Sequence, residues 1–263
     1  MELHDWAKSI LTADTLEGKL AYPDLLTDNE PGPAIIWEQP ERPPGMEFKR
    51  PSKKDKLPSF HEFSDPDKRA ICLHRFAGHE LLAVEIMAYT LLAFPDAPAR
   101  FRKGLAHTLN EEQGHVKLYM EQMERLGIKF GDLPLYRHFW KHTPHIQSPL
   151  HYVTMMSLTF EMANLDFAPM YGNAFLKHGD HEAAQLMATI LNDEISHVSF
   201  GLNWLKRLKK ENDTEWECWE QTLSSTLLTP HRARGFIVNE EPRQKAGIPQ
   251  EWISNLYHAK PKT

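Results

Sequence analysis

At 263 residues and 30.5 kDa the chain allows one large domain or two small ones, and it can bury about 70–75% of its unfolded surface without disulfide staples. Its 41% apolar and 25% charged residues are those of a soluble globular protein. A net charge of −6 and a pI near 6.2 exclude a protein that coats nucleic acid and leave only a local basic patch open. Cys72 and Cys218 stand far apart, so there is no CxxC pair, which excludes a zinc ribbon or thioredoxin-type motif and fits a reducing cytoplasm. The opening Met-Glu-Leu-His-Asp carries acid where a signal peptide needs base. The longest apolar stretch, 81–94, is too short to span a bilayer and contains Glu85. The expectation is a cytoplasmic protein with no membrane partner. The 15 histidines say where to look for chemistry.

The first element is a short helix over about 6–20, followed by proline-punctuated chain over 31–58. Ile35, Ile36, Trp37 and Phe48 favour a segment wrapped over a core, with disorder as the alternative. Ser64-Asp65-Pro66-Asp67 then combines a capping side chain, a first-turn proline and acid at the positive helix end. Helical periodicity follows to Phe94, where Pro95 stops it. A second helix is expected over 97–126, with Gly127 as its terminator. Irregular chain over 128–147 has 133–142 as a candidate short helix. Ser148-Pro149 opens a third helix reaching about 172, and Asp180 opens a fourth reaching about 210. A helix over 215–227, an Arg- and Gly-rich loop and a short helix near Trp252 complete the chain. No stretch alternates as a sustained strand. The reading is all-α: a wrapping segment over 1–65, a four-helix bundle over 66–210 and a helical and loop extension over 211–263.

Two Glu-x-x-His motifs occur, Glu112-Gln-Gly-His115 and Glu194-Ile-Ser-His197, and about one would arise by chance in this composition. Their positions carry the weight. Leu105, Leu109, Glu112, Val116, Tyr119 and Met123 follow a three-four spacing, and so do Met187, Ile190, Glu194, His197, Val198 and Leu205. A Glu and a His three apart on one helix reach the same point. The first helix sets Glu80 among Leu73, Ala77, Val84, Met87 and Leu91. The third sets Glu161 among Val153, Ser157, Leu165 and Ala168. Glu80 to Glu112 is 32 residues and Glu161 to Glu194 is 33, so the chain repeats a hairpin. The 46 residues from His115 to Glu161 leave room for a long crossover. Four inward carboxylates would each cost several kcal/mol if charged and unpaired. Two divalent cations supply +4 against −4, and two imidazoles complete a ligand set that suits Fe, Mn or Zn.

At these residues the sequence resembles the ferritin-like di-iron or di-manganese carboxylate proteins over about 66–210. That site takes one Glu from each of two helices and Glu-x-x-His from the other two. The stretches His74-Arg-Phe-Ala-Gly-His-Glu-Leu-Leu-Ala-Val-Glu85, Thr159-Phe-Glu-Met-Ala-Asn-Leu-Asp166 and Ala233-Arg-Gly-Phe resemble an uncharacterised bacterial ferritin-like family bearing a domain-of-unknown-function label. That family is similar in fold to a tRNA-modifying hydroxylase acting on an isoprenoid-modified adenosine. The resemblance implies a ferritin-like bundle with metal ligands Glu80, Glu112, His115, Glu161, Glu194 and His197. It implies two divalent ions, iron favoured and manganese the alternative, 3.5–4 Å apart as in two-metal sites generally. The expected function is an oxidoreductase of the di-iron oxygenase or hydroxylase type with a small-molecule substrate or O2. The alternative is a non-catalytic metal-binding or metal-storage protein. Nucleic acid (tRNA) is not favoured, because residues from 201 onward balance ten Lys and Arg against eight Asp and Glu. A homodimer remains open.

Several residues carry two readings. Glu85 falls in line with Gly78, Leu81, Tyr89 and Leu92, but the 32-residue spacing and Glu80-Leu-Leu-Ala83 select Glu80. His74 and His79 read as structural or as supports of the ligands. Asp193 and Glu111 either orient a ligand imidazole or sit in solvent. Gly114 makes room for a neighbouring helix or for substrate, and Pro169 kinks or ends the third helix. Tyr119 reads as core before radical chemistry, and Lys206 to Lys210 as cations at a helix C-terminus. The loop from His231 to Gly235 offers Arg forks to an anion.

Overall fold

Asp65 starts the longest apolar helix: its side chain accepts from the Asp67 N–H at 2.9 Å, with Pro66 in the first turn. In the computed structural model, which describes residues 1–52 and 55–261, that helix runs Pro66–Ala93. Lys53 and Lys54, part of the extended segment expected over 31–58, lie outside the described residues. Chain contacts divide the protein into two units, Met1–Thr143 and Pro144–Thr263.

The first unit holds α1 (Leu3–Thr12), α2 (Leu16–Lys19), β1 (Phe48–Lys49), α3 (Pro66–Ala93), α4 (Ala99–Arg125) and β2 (Leu135–Tyr136). Helices α3 and α4 form an antiparallel hairpin, and α1 packs on α3. α4 ends where Gly127 turns left-handed (φ +81°) and Ile128 N–H closes on Met123 O at 3.1 Å. From Cys72 to Ala93, only Arg75, Phe76 and His79 of α3 are not fully buried. A helix apolar all round belongs in an interior. α3 is long and apolar enough to cross a membrane by length and composition alone, yet 89% of its most apolar window is buried inside the protein.

The first 52 residues wrap this hairpin through polar anchors. Arg102 donates to the Asp28 carboxylate and to Pro95 O, Gln113 Nε2 donates to Lys19 O at 2.8 Å, and Trp140 Nε1 donates to Glu38 O at 2.9 Å. The apolar residues expected to do this contribute less: Ile36 is 73% exposed, while Pro40, Pro43 and Met46 are buried. The expected first helix is two helices, broken at Ala13 to Thr15. The expected helix over 133–142 is instead the strand β2, paired in parallel with β1, and a 3-10 turn Trp140–His145.

The second unit holds α5 (Pro149–Met155), α6 (Met162–Lys177), α7 (His181–Leu208), α8 (Glu215–Ser224), α9 (Glu240–Lys245) and α10 (Gln250–His258). Between α5 and α6, Met156–Glu161 forms a wide π turn. The third helix expected from the sequence is therefore continuous from 149 to 177 but not regular. Pro169 lies inside α6 and does not end it. Helices α6 and α7 form this unit's hairpin. Trp216, Trp219 and Trp252 pack together beneath α8 and α10, with Trp219 and Trp252 stacked at 5.1 Å. The described residues are thus predominantly helical, and their strands, β1 and β2, are two residues each.

Candidate metal centre

In the first unit, α3 carries Glu80 and α4 carries Glu112 and His115, all buried. Residues three apart on α4 project to one side, so Glu112 and His115 both turn toward α3. One ligand atom from each of Glu80, Glu112 and His115 lies within 4.8 Å of the others. His115 Nδ1 stands 3.0 Å from Glu112 Oε2. An ionised Glu112 accepts the Nδ1 proton and fixes the ring. Three buried donors of carboxylate and imidazole type fit a divalent first-row ion.

In the second unit, Glu161 closes the π turn, and α7 carries Glu194 and His197, again all buried. Glu161 and His197 offer ligand atoms within 4.8 Å of each other. His197 Nδ1 lies 3.7 Å from Glu194 Oε2, longer than the matching contact on α4. Asn164 Nδ2 donates to Glu194 Oε1 at 2.6 Å. Among the described residues, the first unit's three ligands close into a compact group, and Glu161, Glu194 and His197 do not. Asn164 is a site residue the sequence reading did not name. Its only sequence signal is its place three residues after Glu161, where the first hairpin has Ala83 after Glu80.

The residues with two readings now have places. Glu85 is fully buried and meets Lys19 Nζ at 3.1 Å and Arg42 Nη2 in a close ion pair. Lys19 also donates to Ile10 O at 2.9 Å. Burial pulls the Lys19 pKa down, against the opposing pull of Glu85. Glu85 therefore anchors the N-terminal wrap. His74 Nε2 accepts from the N–H groups of Gly131 (3.0 Å) and Leu133 (3.3 Å), and burial pulls its pKa down to about 4. A neutral ring is what two N–H donors require, so His74 holds the chain after α4 in place. His79 stacks on His138 with ring centroids 5.4 Å apart. Tyr119 is buried edge-on against Phe76. Glu111 pairs with His107 one turn earlier, at 3.4 Å. Nothing lies within 4 Å of a Cβ built on Gly114, so helix packing does not explain that glycine. Cys72 and Cys218 are free and buried, and burial pushes the Cys72 thiol up to about 12.

The loop after His231 is tied down rather than left open. Gly235 N–H and Asn239 N–H donate to the two Asp166 oxygens at 2.8 and 2.7 Å, and Arg243 grips the same carboxylate with both Nη atoms. A Cβ on Gly235 would stand 2.9 Å from Asp166 Cβ, which is why glycine occupies that position. Arg234 is spent on Gly235 O and Ala259 O.

No solved structure matches the chain. An uncharacterized protein of Haemophilus influenzae is 24% identical over 207 residues, covering 74% of this chain and 70% of that protein. The family model described as protein of unknown function DUF455 matches residues 4–254, and the chain belongs to that family.

Proposed function

We propose that the protein is a dinuclear-metal oxidoreductase of the oxygenase or hydroxylase type, and that its two hairpins are the halves of one ferritin-like four-helix bundle. The observation that carries the reading is the buried Glu80, Glu112 and His115 triad, whose sequence counterpart recurs as Glu161, Glu194 and His197. Burying a carboxylate without a counter-charge costs several kcal/mol. These six residues would hold two divalent ions, iron favoured over manganese, and so neutralise the four carboxylates. When bound and reduced, such a pair supplies electrons to O2 for oxidation of a small-molecule substrate. The chain's own part is to orient and to exclude water. Glu112 aligns the His115 ring, and Leu109, Val116 and Tyr119 keep that face of α4 dry.

The test is metal analysis of protein purified without added metal, with visible absorption before and after anaerobic reduction and exposure to O2. About two iron or manganese ions per chain and stoichiometric oxygen uptake are expected. The variant Glu112→Ala, Glu194→Ala should lose both ions, and full metal content in that variant rules the assignment out. Metal that is bound but inert to O2 under every loading condition would move the protein to storage or structural metal binding.

A further inference from the structure

Asp166 pins the second unit's loop at both ends. Its carboxylate accepts from the Gly235 and Asn239 N–H groups and from Arg243, so the span 235–239 is fixed where it starts and where it stops. Ala233, Gly235 and Val238 are buried, whereas Arg232, Phe236 and Ile237 turn out. Phe236 and Ile237 keep 83% and 77% of their surface exposed. Single exposed apolar residues are ordinary, but two bulky neighbours standing clear on an anchored loop call for a partner. Phe167 meets Phe236 edge-on from α6, with ring centroids 6.3 Å apart. Tyr257, 47% exposed, stands at the far end of the loop, its hydroxyl 3.4 Å from Val238 O.

The flank of this tip is basic. Arg234 donates to Ala259 O at 3.3 Å, which brings Lys260 alongside, and Arg232 and Lys260 are both exposed. Burial, and then the positive charges of Arg234 and Arg232, pull the His231 pKa down. The acids nearby are engaged: Glu241 pairs with Lys245 at 2.8 Å, and Glu240 accepts from the Tyr257 hydroxyl at 2.9 Å. A locally positive flank thus stands on a chain whose net charge is −6.

We propose that the Phe236–Ile237 tip is a peripheral membrane contact, in which the two side chains enter the headgroup boundary of an anionic bilayer while Arg232 and Lys260 meet the lipid charges. Charge complementarity selects an anionic surface, since each Lys or Arg near such a surface strengthens attachment. Shape selects a bilayer. A tip that stands clear of its neighbours needs a matching socket in a protein partner, and a lipid boundary receives it without one. Tyr257 has the amphipathic form that suits the rim of such a contact, an apolar ring with a polar end. The contact lies in the interface and needs no spanning helix. It stands independently of the dinuclear reading above.

The experiment is co-sedimentation of the full-length protein with vesicles of phosphatidylcholine, alone or mixed with phosphatidylglycerol, over a range of salt. The wild type should pellet with the mixed vesicles, and less so as salt rises. Phe236→Ser, Ile237→Ser should weaken partitioning by about tenfold or more. Arg232→Gln, Lys260→Gln should weaken it by about tenfold on the mixed vesicles, and Lys260→Gln alone by roughly fivefold. Leu25→Ser, at a 70% exposed position of the other unit, should change nothing. Thermal midpoints equal to the wild type show that the variants fold. A wild type that pellets with neither vesicle overturns the proposal, as does pelleting indifferent to phosphatidylglycerol or unchanged by Phe236→Ser, Ile237→Ser. A wild-type dimer that this same variant splits, with no response to lipid, also overturns it and gives the tip to a second copy of the chain.

Discussion

Five residues of α-helix turn about 500°, so Glu80 and Glu85 point some 140° apart on α3. Glu80 joins Glu112 and His115, and Glu85 meets Lys19 and Arg42. Glu80→Ala is therefore expected to lose at least one ion. Glu85→Gln should keep both ions but lose about 3–5 kcal/mol of stability, because it leaves Lys19 and Arg42 buried without their carboxylate. Metal content and denaturant titration separate the two effects; metal loss in Glu85→Gln with metal retained in Glu80→Ala would mean the first helix is assigned the wrong way round. The burial of Glu80, Glu112, His115, Glu161, Glu194 and His197 was legible because its signals are local: a three-four apolar spacing and a hairpin repeated at 32 and 33 residues. Lys19 and Arg42 were not, because they reach Glu85 from 66 and 43 residues earlier, Lys19 at the end of the four-residue α2 and Arg42 from irregular chain, and neither place has a periodicity that marks a buried cation. Asn164 escaped for a related reason: an asparagine on a helix reads as solvated until the facing helix is in place.

At the scale of elements, the π turn at Met156–Glu161 separates pattern from structure. Helical spacing places Val153, Ser157, Glu161 and Leu165 on one stripe, and one wide turn shifts the residues beyond it around the axis. Tertiary partners hold the distortion. Thr154 O accepts from the Thr159 hydroxyl at 2.7 Å and from Trp219 Nε1 at 3.3 Å, and Trp219 comes from α8, far along the chain. On the other side α7 comes so close that a Cβ on Gly201 would stand 2.3 Å from Ser157 Cβ. Spacing alone could not reveal this, since the need for glycine lies in a neighbour's approach and not in α7 itself. Gly201→Ala should cost about 1–3 kcal/mol by overpacking, or roughly 3–10 °C in thermal midpoint. Ser157→Gly removes the opposing carbon, so the double variant should lose less than the two single losses combined. Strict additivity in that thermal-denaturation cycle would mean that α7 yields freely and the close approach does not fix the π turn.

At the scale of the whole molecule, each unit packs its own core and carries half of the proposed ligands: Glu80, Glu112 and His115 in the first, Glu161, Glu194 and His197 in the second. The sequence marks a change of character near residue 65, where proline-rich chain gives way to helix. Contacts ignore that change, because Lys19, Asp28 and Arg42 anchor the early segment onto α3 and α4. Composition reports how a segment is built, whereas packing reports where its side chains end. The dinuclear reading makes metal a component of stability as well as of chemistry. An ion present at a thousand times its dissociation constant stabilises the folded state by about 4 kcal/mol, and in a chain of this length each kcal/mol moves the thermal midpoint by roughly 2–4 °C. A chelator should therefore lower the wild-type midpoint by roughly 10 °C or more. The same chelator should leave the Glu112→Ala, Glu194→Ala variant unmoved, since it has no ion to give up. Hydrogen exchange then locates the effect. Chelation should speed exchange around Glu112 and His115 on α4 and around Glu194 and His197 on α7, and leave α10 as it was. A midpoint indifferent to chelator, or a response confined to one unit, would show that the buried carboxylates are satisfied without a pair of ions.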